Sequence, residues 1–585
     1  MKITKIQIKN FRSLQSVVMD DLGDLTIIIG ENSSGKSNVL EALDFFFNQF
    51  DSAPQRNVGA VNDYLWFDRN PQNDIEFTLS MRVNDNELKE ILPEQLRKAM
   101  IKNLADLEVK QSSDVQVTRV LSGTPTAASW STKLISVNGT ELVSDGQLVF
   151  KIEGVTEMEV TPVSPPLQPG VTVVPPGQAA GPPPPSVSPT TVLGSLLQKI
   201  SKKFMGSYRI ISAARNVTGS ASRLGDRVAF VNQGTMGDLT TFGQSMERDH
   251  LKKWADVEEH VTSAARNIRD LRVVAGQITV GEQGSDTRYP ISLVGGGNQE
   301  ILSLAHELTK GKDTIYGLEE PEQHLHPELA RDFFDVLREI SKDNQILVTT
   351  HSPVFVDQIE LGNTWLARRA NNQTLLVKVK ETTDLKEVLY EIGTKPSDVF
   401  FANAILFVEG PTERIVIPIL AKKLGIGLRE IGLSIIPIHG KGSGKYHLQV
   451  WIEASQAVAI PYFMLLDSDA KDDAGRLVSS GLLKDTYNLF ILPRGSIEDY
   501  YPEERIIEAL KSEFNINVTE DERKDILKTP RAKSIKEFLT KKKLDTFGWK
   551  LSLGRTIASK MTADEVDDEI RRVVERLHTE TTKVQ

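Results

Sequence analysis

The sequence predicts an α/β protein built from two successive domains. Three observations carry that prediction: a glycine-rich loop, GENSSGKS (30–37), set between an apolar strand and a helix; alternating strands and helices from 290 to 380; and a second such alternation that begins near 403. At 585 residues the chain exceeds one ordinary core. Its apolar fraction of 39% and charged fraction of 25% are those of a globular chain.

The elements follow in order. Ile3, Ile6 and Ile8 lead to Phe11 in a strand-like start, and LTIIIG (25–30) reads as a short buried strand ending in glycine. A helix pattern runs from Ser37 through NVLEALDFFFNQF. From 74 to 160, stretches such as IEFTLSMRV and GQLVFKIEGV predict mostly antiparallel strands. Residues 162–189 hold 11 of the 27 prolines, a density that cannot make a packed core and reads as an exposed linker or insertion. Beyond it come SYRIISAAR (207–215), a polar helical stretch through about 275, and the alternation from 290 to 380. The second alternation runs AILFV, helix, LSIIPIHG, helix, AIPYFMLLDSD and NLFILP (488–493). Such alternation implies a parallel sheet with ligand sites beyond the strand C-termini.

Composition narrows the chemistry. With no cysteine there is no disulfide framework, thiolate-held zinc or cysteine nucleophile, so any metal must be held by oxygen or histidine. The longest apolar run, AVAIPYFMLL (457–466), is half the roughly 20 residues a membrane-spanning helix needs. The segment MKITKIQIKNFRSL alternates and has no apolar signal core, so a cytoplasmic protein without a membrane partner is expected. A net charge of −10 argues against a nonspecific nucleic-acid coat, while a local basic face remains compatible with nucleic acid.

GENSSGKS satisfies GxxxxGK[ST] in the strand–loop–helix context that the motif requires. Gly30, Asn32, Ser34 and Gly35 would wrap backbone N–H groups around phosphates, Lys36 would neutralise β/γ oxygens, and Ser37 would take a Mg²⁺ position. TIYGLEEPE (314–322) is a strand ending in Glu319 and Glu320, one suited to hold Mg²⁺ and the next to orient or deprotonate an attacking water. QILVTTHS (345–352) ends in His351, placed to sense a γ-phosphate.

These pieces resemble the ABC-type ATPases of the SMC/RecF-like, DNA-repair kind. In that resemblance LVGGGNQE (293–300) looks like the signature loop, with Gly296, Gly297 and Gln299 as nucleotide contacts, and His351 like the switch histidine. Two positions depart from the pattern: the first acid is Glu319 where most of that class has Asp, and the signature reads GGGNQ instead of the serine-led form. Sites of this class are shared between two heads, so the resemblance implies ATP as cofactor and at least a homodimer. It assigns residues 1–390 to the ATPase, with about 225–275 as a candidate dimerisation region inserted in it.

Nothing after about 390 is needed for that engine, yet acids fall at strand ends there. ILFVEGPTER (405–414) places Glu409 after a strand and Glu413 four positions on. FMLLDSDAKDD (463–473) places Asp467 and Asp469 on one side of an extended segment, and LPRGSIEDYYP (492–502) adds Glu498. Five carboxylates from three strand ends repel unless a cation neutralises them, and all-oxygen ligation suits Mg²⁺ or Mn²⁺. Two such ions would activate water and stabilise a leaving oxygen at a phosphodiester.

An ExxxE glutamate, a DxD one unit later and a further acid resemble the Toprim fold, a Rossmann-like α/β domain, here spanning 395–585. An ABC-type ATPase fused to a C-terminal Toprim domain is the architecture of the overcoming-lysogenization-defect (OLD) family of nucleases, which includes the nuclease subunit of Gabija-type phage defence. The resemblance makes Glu409, Glu413, Asp467 and Asp469 metal ligands, with Glu498 and Ser496 completing a second site. It also implies a late lysine that stabilises the transition state; within FGWKLSLGRTIASKM the choice falls on Lys550 over Arg555 or Lys560. His439 and Lys445 of IHGKGSGK are either phosphate contacts or parts of a flexible turn.

The stretch KTPRAKSIKEFLTKKK (528–543) has seven basic residues against one acid, and is either a solvated linker helix or a DNA phosphate contact. An ATP-regulated, divalent-metal-dependent DNA endonuclease is therefore expected, homo-oligomeric through its ATPase heads, with a helicase as a candidate partner and antiviral defence as the implied role. The alternative is a repair or structural ATPase whose Toprim domain binds DNA without cutting it. Topoisomerase and primase fit less well, since neither pairs a Toprim domain with ABC-type heads.

Overall fold

The computed structural model describes residues 1–50, 55–59, 62–103, 112–150, 188–211, 233–323, 325–358, 363–379, 396–438, 460–479, 481, 483, 487–544, 546 and 548–583. Most of the proline-rich stretch (162–187), residues 225–232 of the candidate dimerisation region, and His439 with Lys445 lie outside the described residues. The chain divides into two compact units, Met1–Gln358 with Ala367–Leu376 and Ile359–Leu366 with Val377–Gln585.

The first unit holds an eight-stranded sheet and a six-stranded sheet. In the first, the hairpin Lys2–Phe11/Leu14–Asp20 continues through Ile75–Asn84, Ser112–Thr124 and Ala127–Val137 by antiparallel pairing. The six-stranded sheet runs in the order Tyr208–Ile211, Ile315–Glu319, Gln345–Thr350, Leu25–Ile29, Thr364–Ala370, Gln373–Lys378. Its first four strands pair in parallel, which sets the C-termini of Leu25–Ile29, Ile315–Glu319 and Gln345–Thr350 side by side.

Helix Lys36–Asn48 packs its run of phenylalanines inward: Phe46 and Phe47 meet Phe204 at ring-centroid distances of 5.8 and 5.2 Å, and Phe47 stacks on Tyr208. Burying each such ring is worth about 2–3 kcal/mol relative to exposure, so the helix behind the phosphate loop is firmly seated. Phe204 ends helix Pro189–Phe204, whose N-cap is Ser188 and whose first residue is Pro189. The last proline of the predicted linker thus starts a helix, where its fixed φ and missing N–H cost nothing.

The polar helical stretch is shorter than expected. Helices Gln233–Gln244 and Arg248–Ala264 are followed by strand Ile268–Val274, which pairs antiparallel with Gln277–Glu282. Ile268 and Leu271 are buried, with Arg269 exposed and Asp270 half-buried between them, so sheet pairing overrides the helical reading of 265–275.

In the second unit four parallel strands stand in the order Leu433–Pro437, Ala404–Val408, Tyr462–Leu466, Leu489–Ile491. Strand Ala404–Val408 is buried at every position, as expected for the interior of a parallel sheet. Helices Pro411–Lys423, Glu503–Phe514, Arg531–Lys541, Trp549–Lys560 and Asp568–Thr582 contribute Val416, Ile506, Phe538, Ile557 and Val574 to one core with Leu406 and Phe463.

Candidate active sites

The phosphate loop is tied together by its own chain. Lys36 is 4% exposed, and its ammonium donates to the carbonyls of Gly30 and Glu31 at 2.8 Å each. Burial depresses its pKa against the opposing pull of Glu320, Glu322, Glu319 and Glu31. Gly35 has φ +93°, and a Cβ there would run into the hydroxyls of Thr374 and Ser13. Those two hydroxyls lie 2.6 Å apart, and Thr374 donates to the Ser34 carbonyl at 2.8 Å, so the loop is clamped from a strand 340 positions away. Asn32 is exposed and Ser34 buried.

At the next strand ends, the Ser37 hydroxyl donates to Glu319 Oε1. Glu320 is held at φ +46°, a left-handed conformation that costs a non-glycine residue about 1–3 kcal/mol, with its N–H on the Thr349 carbonyl at 2.9 Å. Its carboxylate lies 2.9 Å from His351 Nδ1. Lys36, Ser37, Glu319, Glu320 and His351 therefore gather at neighbouring C-terminal ends of one parallel sheet. Gly296, Gly297 and Gln299 form the first turn of a separate helix, Gly296–Leu308, where the Gln299 amide turns back on the Val294 carbonyl at 2.9 Å.

In the second unit Glu409 follows strand Ala404–Val408, and Asp467 follows strand Tyr462–Leu466 beside it. The Asp467 N–H donates to Glu409 Oε2 at 3.3 Å. Glu409, Asp467 and Asp469 each offer an oxygen within 4.8 Å of the others. Glu413 sits in the first turn of helix Pro411–Lys423, accepting from the Gly410 N–H at 3.0 Å. Glu498 is 2% exposed and lies 3.1 Å from the Lys550 ammonium, which belongs to the first turn of Trp549–Lys560. The Ser496 hydroxyl sits 3.4 Å from Asp499 Oδ2.

Electrostatics follow from this crowding. Burial, then the Glu409, Glu413 and Glu498 charges, push the Asp467 carboxyl up to about 8. Glu413 is raised to about 7, chiefly by burial and further by Glu498, against the backbone donors that favour its charge. Burial alone would depress the Lys550 ammonium, but Glu498, Glu413 and Asp467 hold it above its ordinary value. Burial and mutual repulsion raise the carboxyls here, and oxygen donors that converge in this way fit a hard divalent ion.

Residues 1–125 and 229–356 match the AAA ATPase domain family. Residues 400–469 match the overcoming lysogenization defect protein-like TOPRIM domain. The chain joins an AAA ATPase domain to an OLD-like TOPRIM domain. The OLD nuclease of Thermus scotoductus is 23% identical over 490 residues, spanning 80% of this chain and 82% of that protein. Endonuclease GajA of Bacillus cereus (strain VD045) is 22% identical over 596 residues, spanning 97% of this chain and 88% of that protein. The C-terminal region of the Burkholderia pseudomallei OLD protein is 20% identical with a TM-score of 0.26, covering 31% of this chain and 99% of that one.

In the second unit, Lys550 stands among the carboxylates, while Lys560 reaches the Ser512 hydroxyl at 3.2 Å and Arg555 is exposed. Asp499 escaped the sequence reading: one oxygen accepts the Ser496 N–H at 3.0 Å and the other the Arg531 N–H at 2.9 Å, tying the Glu498 loop to the basic helix. In the ATPase domain Glu322 also escaped it. Glu322 is buried, accepts the Thr350 hydroxyl, and is raised by burial; its signal was the third acid of LEEPE. Along the basic stretch, Lys528, Arg531, Lys533 and Lys542 are paired with acids, and Lys536, Lys541 and Lys543 are exposed. Among the described residues no helix is long and apolar enough to cross a membrane.

Proposed function

We propose that the chain is an ATP-regulated, divalent-metal-dependent DNA endonuclease that works as a homo-oligomer through paired ATPase heads. The observation that carries the nuclease reading is the convergence of Glu409, Asp467 and Asp469 at the tips of adjacent parallel strands, with Glu413 and Glu498 also present. The two relatives named as nucleases, which align with four-fifths or more of the chain, support DNA as the substrate.

Bound Mg²⁺ or Mn²⁺ ions would supply an activated water and charge neutralisation at a phosphodiester. Glu409, Asp467 and Asp469 would hold one ion, and Glu413 and Glu498 with the Ser496 hydroxyl would serve a second. Lys550 would meet the charge that develops on the phosphate. In the ATPase domain Gly30, Asn32, Ser34, Gly35 and Lys36 would cradle the ATP phosphates, and Ser37 with Glu319 would hold its Mg²⁺. Glu320 would orient the attacking water, with His351 fixing its carboxylate. Gly296, Gly297 and Gln299 would complete the site of a second copy, which makes a dimer the minimal working unit. Antiphage defence, with a helicase partner, is the role that fits such a regulated nuclease.

Plasmid cleavage and ATP turnover, measured side by side, test the reading. Asp467→Ala is expected to abolish cleavage and spare turnover, and Glu320→Gln to abolish turnover. Cleavage by Asp467→Ala at the wild-type rate would place the catalytic centre elsewhere.

A further inference from the structure

The acids of the TOPRIM domain are not equivalent. Glu409 and Asp467 are half-buried and Asp469 is exposed, so these three face solvent. Glu498 lies inside, 2% exposed, and among the described residues neither of its oxygens has a hydrogen-bond partner of good geometry. Its charge is met by the Lys550 ammonium at 3.1 Å. A buried carboxylate that loses a counter-charge is strongly destabilising, so the pair is a structural bond as well as a chemical resource. Lys550 itself is 45% exposed along its side chain, with room to swing outward on its four-carbon stem.

We propose that Lys550 competes with a divalent cation for Glu498. An ammonium and a divalent cation cannot share one small carboxylate without repelling each other across a low-dielectric pocket. The two ions of the nuclease site then bind with unequal affinity, the one that uses Glu498 binding only as Lys550 withdraws. Withdrawal carries the ammonium toward solvent, where a substrate phosphate offers it a replacement anion. Phosphate and the second cation therefore favour one another, and the site is completed in the presence of substrate. The inference rests on the two-ion reading above.

Mn²⁺ titration calorimetry of the full chain without nucleotide or DNA tests it, with unfolding measured in chelator alongside. Wild type is expected to show a tight and a weak binding event. Lys550→Met should strengthen the weak event about tenfold, Lys550→Arg should leave it as in wild type, and Glu498→Gln should remove it. In chelator Lys550→Met should melt lower than wild type, and Mn²⁺ should restore more of its stability than it adds to wild type. A Lys550→Met isotherm that superposes on wild type overturns the competition, as does equal strengthening by Lys550→Arg, which would point to space rather than charge. Asp467→Asn separates the two claims. If it leaves the tight event intact, the two-ion reading fails; if it removes that event while Lys550→Met changes nothing, only the competition fails.

Discussion

Asp467→Asn should make the metal-free TOPRIM domain more stable while destroying its activity. The Asp467 carboxyl titrates at about 8 in the fold against 3.8 for an ordinary aspartate, first because it is buried and then because Glu409, Glu413 and Glu498 face it. At pH 7 the unfolded chain has released this proton and the folded chain still holds it. The interval from 3.8 to 7, at about 1.4 kcal/mol per pH unit, weighs about 4 kcal/mol against the fold. The sign follows from the raised folded value: the stability tied to this proton is fully present below 3.8 and is lost as pH rises toward 8. Asparagine has no proton to release. Its advantage should be absent near pH 4, grow through neutrality and reach about 2–4 kcal/mol by pH 7, the lower end reflecting the amide's own burial cost. Hydrogen exchange of the Tyr462–Leu466 strand amides in chelator, corrected for intrinsic rates, reads that domain alone. Equal protection of variant and wild type across this pH range, or a variant less protected at pH 7, would refute the electrostatic account.

Three further outcomes follow from the same geometry. Mn²⁺ must displace protons from Glu413 and Asp467, raised to about 7 and about 8, so its affinity should climb from pH 6 and level off above about 8; a flat calorimetric profile would count against both assignments. Gly35→Ala forces a Cβ onto the Thr374 and Ser13 hydroxyls at φ +93° and should weaken nucleotide binding at least ~10-fold in a fluorescent-analogue titration, whereas unchanged affinity would mean the clamp is soft. Replacing Lys536, Lys541 and Lys543 together by alanine should lower DNA affinity and reduce the salt slope by roughly 2–3, with ATP turnover unchanged; an unaltered slope would leave the stretch as a solvated helix.

The parts of the protein that could be read from sequence are those whose partners lie at strand ends. Lys36 bonds the carbonyls of Gly30 and Glu31, within the motif itself, and Glu319, Glu320 and His351 fall where adjacent parallel strands stop. Local spacing and sheet topology determine both. The clamp on the loop was not legible, because Thr374 and Arg369 reach Ser34 and Ser33 from strands more than 330 residues later. Nor could the pattern of 265–275 decide between helix and strand, since the pairing that decides it comes from Gln277–Glu282. Among late basic residues the difficulty was helical phase. Trp549, Leu553, Gly554 and Ile557 take the buried face, and Gly554 is small because the Tyr501 hydroxyl, Val416 and Thr412 press against it. That packing turns Lys550 toward Glu498, and nothing in the run FGWKLSLGRTIASKM reveals it.

The two glutamates of ILFVEGPTER show why spacing alone understates such a site. Glu409 stands at a strand tip, half-buried, and is tied to the next strand by the Asp467 N–H. Glu413 lies in the first turn of the helix, 6% exposed, and caps it through the Gly410 N–H. A helix N-terminus favours negative charge by about 0.3–1 kcal/mol at exposed positions, yet the Glu413 carboxyl rises to about 7. Burial and Glu498 therefore outweigh the helix and its backbone donors. On the proposed reading Glu409 would accept an ion, while Glu413 is already fixed by the Gly410 N–H and by burial. A chain with both kinds of acid can hold its geometry through the cycle while the charge at its centre changes, because the residues that set position and the residues that meet solvent are different ones.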